Sequence, residues 1–150
     1  MATVTYRRIL AAVDFSAPSR AALRHAIGLA KHHGAHLDVI YVIEDSFRAA
    51  LPWAEDARKH VAEMRRLETK VATAKLEKFV PAAPGVRVER TVKNGDVDEE
   101  VRKFAKRRRA ELIVIGNVGR RQLGALLLGS TAADIVRTSR IPVLLVPQTR

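Results

Sequence analysis

The stretch GNVGRRQLGALLLGST sets Gly116, Gly119, Gly124 and Gly129 into an apolar and basic segment that ends on Ser130 and Thr131. Glycines so placed let backbone approach an anion with no side chain in the way. Hydroxyls opening a helix add donors to the N–H groups of its first turn, so the chemistry on offer is phosphate binding. The second half, GALLLGST, nearly matches the phosphate loop G-x-x-x-x-G-K-[ST], but Ser130 stands where that loop carries its lysine. The same residues also read as plain connections, with Gly116 a tight exit from a strand, Gly124 and Gly129 turns, and Ser130 a helix cap. Spacing alone leaves both readings open. A second chemically marked stretch is VDFS, which offers Asp14 and Ser16. The Asp14 carboxylate can accept hydrogen bonds from hydroxyls or ligate Mg²⁺, or it can serve the loop before the first helix.

Other chemistry is thinner. The chain has no cysteine, which excludes disulfides, thiolate catalysis and cysteine-held metals. No G-x-S-x-G serine elbow is present. His32, His33 and His36 cluster at a helix end, where solvated histidines are the expected outcome. With 27 Lys and Arg against 16 Asp and Glu, the net charge is +11, and the surface attracts anions in general. Six of the basic residues lie in RKFAKRRR, from Arg102 to Arg109. That run supports salt-sensitive binding to a nucleic-acid backbone, or it is a solvated basic face. Phe104 is its only aromatic, at a core position, and aromatic content is 5%, so stacking platforms for single strands are missing.

The elements that position these residues follow from periodicity. A chain of 150 residues, 47% hydrophobic and 29% charged, fits one domain spanning 1–150 with a real core. No signal peptide core or membrane-length run is expected, which points to the cytoplasm. Residues 8–15 (RILAAVDF) suit a strand buried on both faces. Pro18 and Gly34 bracket a helix with Leu23, Ile27 and Ala30 on one face. LDVIYVIE (37–44) is a second strand, and a long helix over 55–79 carries Val61, Met64, Leu67, Val71 and Ala74 as its apolar stripe. VRVERTV (86–92) alternates as a third strand, and NGD turns into a helix facing Val97, Val101, Phe104 and Ala105 inward. ELIVIG, the helix STAADIVRTSR and the strand PVLLVP complete the series.

Five strands alternating with four helices require crossover connections, and therefore a parallel sheet with helices on both faces. In such sheets ligands bind at the carboxyl ends of the strands, where strand order reverses. If the first and fourth strands are neighbours there, Asp14 and Gly116 face one crevice.

ILAAVDFSAPSRAAL, AELIVIGNVGRRQLGALLLGST and IPVLLVP together resemble the universal stress protein family from end to end. Its nucleotide-binding members carry G-x-x-G, nine residues, then G-[ST]. Gly116, Gly119, Gly129 and Ser130 match that spacing. The resemblance implies an α/β, Rossmann-like domain of the adenine nucleotide alpha hydrolase-like kind, with strand order 3-2-1-4-5 and ATP between the first and fourth strands. ADP or AMP are the alternatives, and Mg²⁺ accompanies the nucleotide. It implies Ala12 and Asp14 beside the adenosine and Val42 touching adenine through its main chain. Ile115 and Gly116 would flank the ribose, and Gly119, Gly129, Ser130 and Thr131 would hold the phosphates. Asp14 is then also the candidate Mg²⁺ ligand. Val118 departs from the polar or histidine residue of many relatives. Arg120 and Arg121 could reach terminal phosphates, though solvated surface arginines are the commoner outcome. The resemblance further implies a homodimer through the last strand, Val143 to Val146, whose apolar edge needs cover. The expected output is a nucleotide-dependent interaction in a stress response with a protein partner, and at most slow ATP hydrolysis, since no lysine or base is set at the phosphates.

Overall fold

The computed structural model describes residues 3–45, 55–118 and 128–147. The strands are β1 (Arg8–Val13), β2 (His36–Glu44), β3 (Val88–Gly95), β4 (Leu112–Gly116) and β5 (Val143–Val146); the helices are α1 (Ala17–His33), α2 (Glu55–Phe79), α3 (Val97–Arg108) and α4 (Ser130–Thr138). All strand pairs are parallel, and the sheet order is β3-β2-β1-β4-β5. The expected fold class and strand order are thus observed. No described helix is long and apolar enough to cross a membrane.

Strand alternation builds one core on each face. Ile9, Ala11 and Val13 of β1 point into a cluster with Leu37 and Val39, covered by α1 and the end of α2. Leu10 points the other way, to Ile40, Ile113 and Ile115 beneath α3 and α4. The central strands are apolar at consecutive positions because both their faces are covered.

The helix boundaries follow capping chemistry. Ser16 caps α1 by accepting from the Ser19 N–H at 3.2 Å, and Gly34, at φ 64°, ends it. Asp96 caps α3 by accepting from the Glu99 N–H at 3.1 Å, with Asp98, Glu99 and Glu100 in the first turn. Both arrangements place negative atoms at the positive end of the helix dipole.

Three expectations require correction. β1 stops at Val13 rather than Phe15, because Phe15 turns into the left-handed region at φ 66°. β3 begins at Val88 and continues through Asn94 and Gly95. The NG of the expected turn is therefore strand, paired with Ile43 and Glu44. The third concerns α2. Met64, Leu67 and Val71 are exposed, and Ala72, Leu76 and Phe79 face the sheet instead. Polar contacts fix that rotation. Arg65 donates to both Asp45 carboxylate oxygens at 2.7 and 2.8 Å, and Asn94 donates to Thr69 Oγ1 at 3.1 Å. Phe79 stacks edge-on against Phe15, 5.2 Å between centroids, and lies under Arg20.

Candidate functional site

Strand order reverses between β1 and β4, which pair through Ile9 with Leu112, Leu10 with Ile113 and Ala11 with Val114. One residue beyond that ladder, Ala12 and Ile115 stand side by side on the floor of a cavity of about 520 Å³. That volume lies within the usual range for small-molecule sites, roughly 300–1,000 Å³. Val97 and Val101 of α3 form one wall, and Ala132 and Ile135 of α4 another.

Every described residue that the resemblance set around the nucleotide lines this cavity: Ala12, Asp14, Val42, Ile115, Gly116, Gly129, Ser130 and Thr131. Gly119, with Gly124, Arg120 and Arg121, lies outside the described residues. Positions the sequence did not point to are Val97 and Val101, Ile40, Ser19 and Glu44. The i, i+4 spacing of the two valines marks an apolar helix face, but only the strand order shows that part of that face overlooks the crevice.

The cavity has two polar ends. At one, β2 outruns β1: the last β1–β2 pair is Val13 with Tyr41, whereas Val42, Ile43 and Glu44 pair with β3 alone. The Val42 carbonyl, on the β1-facing edge just past the last β1–β2 pair, is suited to reading a heterocycle edge. Asp14 stands nearby. Its Oδ1 accepts from the Ser16 N–H at 3.0 Å and from the Ser16 hydroxyl, and its own N–H donates to Ser19 Oγ at 3.3 Å. Asp14 thus braces Ser16, the residue that caps α1, while also facing the cavity.

At the other end α4 begins. Gly129 is its N-cap, at φ −62° and ψ 151°, and makes no side-chain capping bond. Ser130 is therefore not the cap but the first helical residue, and it is exposed with Thr131. No acidic residue lies in this first turn. The Gly129 N–H donates to the Asn117 carbonyl at 2.8 Å, pinning together the two ends of the glycine loop. Of the helices with described caps, α1 and α3 carry a side-chain acceptor and α4 does not. Its first-turn N–H groups and its dipole are left facing the cavity, an arrangement suited to an anion. No lysine, arginine or histidine is among the described residues lining the cavity.

Gly116 has a packing role as well. A Cβ there would lie 2.9 Å from both the Pro18 carbonyl carbon and Pro18 Cβ. The absent side chain lets the start of α1 close over the end of β4.

The universal stress protein family model matches residues 5–147. The chain is 33% identical over 141 residues to universal stress protein MJ0531 of Methanocaldococcus jannaschii, covering 94% of this chain and 82% of that one. Universal stress protein UspA from Lactobacillus plantarum superposes with a TM-score of 0.73 at 25% identity, covering 96% and 99% of the two chains. A universal stress protein solved in complex with cAMP superposes with a TM-score of 0.67 at 23% identity, covering 97% and 100%. With the strand order, the cavity at its reversal and these likenesses in hand, the chain belongs to the universal stress protein family.

Proposed function

We propose that the cavity binds an adenine nucleotide, ATP with Mg²⁺ in the first instance and ADP or AMP as alternatives, and that occupancy regulates an interaction in a stress response. The observation that carries this reading is the uncapped N-terminus of α4, opening with Ser130 and Thr131 onto a cavity at the β1–β4 switch point. Its first-turn N–H groups would hold phosphates, with Gly129, Ser130, Thr131 and, from the sequence motif, Gly119 around them. The main chain at Val42 would meet adenine, and Ala12, Ile115 and Gly116 would border the sugar. The family member solved with cAMP makes adenine nucleotides the class to test first.

Asp14 fits a Mg²⁺ role in kind, since that ion commonly takes one or two carboxylates and completes its shell with phosphate oxygens and water. The ion would screen phosphate charge. This chain's part is to hold the phosphates on backbone N–H groups and to exclude water with Val97, Val101 and Ile135. Hydrolysis would be slow at most.

The homodimer reading rests on β5. It is the edge strand beside β4, and Val143, Leu144 and Leu145 are only partly buried within one chain. The nucleic-acid reading of the 102–109 helix is weakened by its ion pairs: Arg102 to Asp98, Lys103 to Glu99, and Arg108 to Asp38 and Glu89.

The test is to denature purified protein, identify released nucleotide by chromatography with mass detection, and titrate the emptied protein with Mg-ATP. Near-stoichiometric adenine nucleotide, or saturable rebinding, supports the reading. A protein that emerges empty and ignores added Mg-ATP overturns it.

A further inference from the structure

The opposite end of the sheet carries a second cluster. His36 and Asp38 are two apart on β2 and so point to the same face, and register sets Glu89 of β3 beside Asp38. His36 Nδ1 lies 3.6 Å from Asp38 Oδ2, and His36 Nε2 lies 3.9 Å from Glu89 Oε2. The expectation of a solvated histidine fails here: His36 is 16% exposed at its side chain and Asp38 1%. Asp38 Oδ2 and His36 Nδ1 are both buried and neither has a hydrogen-bond partner. An acceptor oxygen of a buried carboxylate left without a donor is costly, and the natural remedies are a proton donor or a cation.

We propose that His36, Asp38 and Glu89 form a binding site for a divalent transition-metal ion of the zinc type. Each of the three residues offers one ligand atom, and these atoms lie within 4.8 Å of one another. Tetrahedral coordination at about 2.0–2.1 Å sets ligands about 3.3 Å apart, so closing the set needs the ligand atoms to approach by up to about 1.5 Å. One imidazole nitrogen with two carboxylate oxygens, completed by water, is a donor set that zinc accepts and Mg²⁺ or Ca²⁺ does not favour.

Arg108 decides how the ion fits. Its guanidinium bonds Asp38 Oδ1, at 2.7 Å from Nη2 and 3.0 Å from Nε, and also pairs with Glu89. The orphaned Oδ2 is the other oxygen of Asp38. Arg108 can therefore keep Oδ1 and orient the carboxylate while the ion takes Oδ2, an arrangement common around metal ligands. Only its contact with Glu89 must yield, and Glu89 is half exposed and can turn. With His36 neutral, two carboxylates against one guanidinium leave the cluster at −1, a charge that favours a bound dication.

Co²⁺ and Zn²⁺ titrations of the chelator-treated full chain test this, Co²⁺ by its visible absorption and Zn²⁺ by calorimetry and by the shift in melting temperature. One equivalent should bind, and His36→Gln should lose it. Glu89→Gln, at a half-exposed position, should weaken binding by more than the roughly 10–100-fold typical of removing an outer partner. The double variant His32→Gln/His33→Gln should bind as the parent does. Binding equal in the parent and in Glu89→Gln, or lost only in the His32/His33 variant, would overturn the proposal, as would the absence of stoichiometric binding. If His36→Gln does not fold, Glu89→Gln decides.

Discussion

Placing a carboxylate at the start of α4 should separate folding from phosphate binding. Ser130 is exposed and is the first residue of a helix with no acid in its first turn. Ser130→Asp should therefore leave the fold intact and stabilise it by about 0.3–1 kcal/mol through the helix dipole. A phosphate held on the first-turn N–H groups would sit with its oxygens about 3 Å from the nitrogens. The new carboxylate would then lie about 5 Å away, and at an effective dielectric of about 40 the repulsion is about 1.7 kcal/mol per unit of phosphate charge. Since about 1.4 kcal/mol is a factor of ten, ATP should bind more than tenfold more weakly, and added salt should soften the loss. Adenosine, which carries no phosphate, should bind parent and variant alike. Calorimetric titration with both ligands, beside thermal melting of the empty proteins, makes the comparison. Equal weakening of ATP and adenosine, or no weakening of either, would refute the assignment of the α4 terminus to phosphate.

Gly116→Ala forces a Cβ to 2.9 Å from Pro18. Overpacking of this kind costs about 1–3 kcal/mol, measurable as a lower urea midpoint. Asp96→Ala removes the α3 cap and should cost about 1 kcal/mol at pH 7. The Asp96 carboxyl is held below its ordinary value of 3.8, first by Asp98 and then by the Glu99 N–H. Its folded value thus lies below its unfolded one, so its contribution is complete above the unfolded value and is lost as pH falls through the folded one. The gap between parent and variant in denaturation curves should narrow at acid pH. On β5, the Pro142 and Val146 carbonyls accept from β4, at Ile113 and Asn117. Alternation then turns the Val143 and Leu145 N–H groups outward, and Leu145→Pro removes one edge donor while sparing the β4 ladder. If the parent sediments as the proposed dimer, the variant should sediment as a monomer; an unchanged dimer would place the interface elsewhere.

The legible parts of this chain were those where one physical signal dominates. ELIVIG reads as a strand because a strand covered on both faces is apolar at successive positions, and Leu112, Ile113, Val114 and Ile115 are all buried. Val101, Phe104 and Ala105 read as a buried face and are one. The α2 stripe failed because two faces of that helix compete. Met64, Leu67 and Val71 have the better apolar spacing, yet Arg65 and Thr69 bind Asp45 and Asn94 across the chain and turn Ala72 and Leu76 inward. A partner twenty or more residues away is invisible to local periodicity. The same limit hid the Asp38 cluster: an acid inside a strand reads as an exposed alternate position until its opposite number, Arg108, is known.

The net charge of +11 left open whether the basic run over 102–109 binds a polyanion or is a solvated face. The structure assigns much of the densest basic run to internal work. Arg108 neutralises a carboxylate buried in the sheet, while Arg102 and Lys103 answer the acids of the first turn of their own helix. Those acids are there because they favour the positive end of α3, and the basic residues follow because they favour the negative end. Much of RKFAKRRR is thus what a stable helix of this length requires, independent of any polyanion. α4 departs from that logic. Its first turn has neither acid nor side-chain cap. A helix start with no side-chain cap, beside a cavity whose described lining holds no cationic side chain, would draw its attraction for anions from the backbone. The position that lacks the phosphate-loop lysine, Ser130, is consistent with the proposed reading: glycine spacing and helix direction would do the work that a point charge does in the lysine-bearing loop.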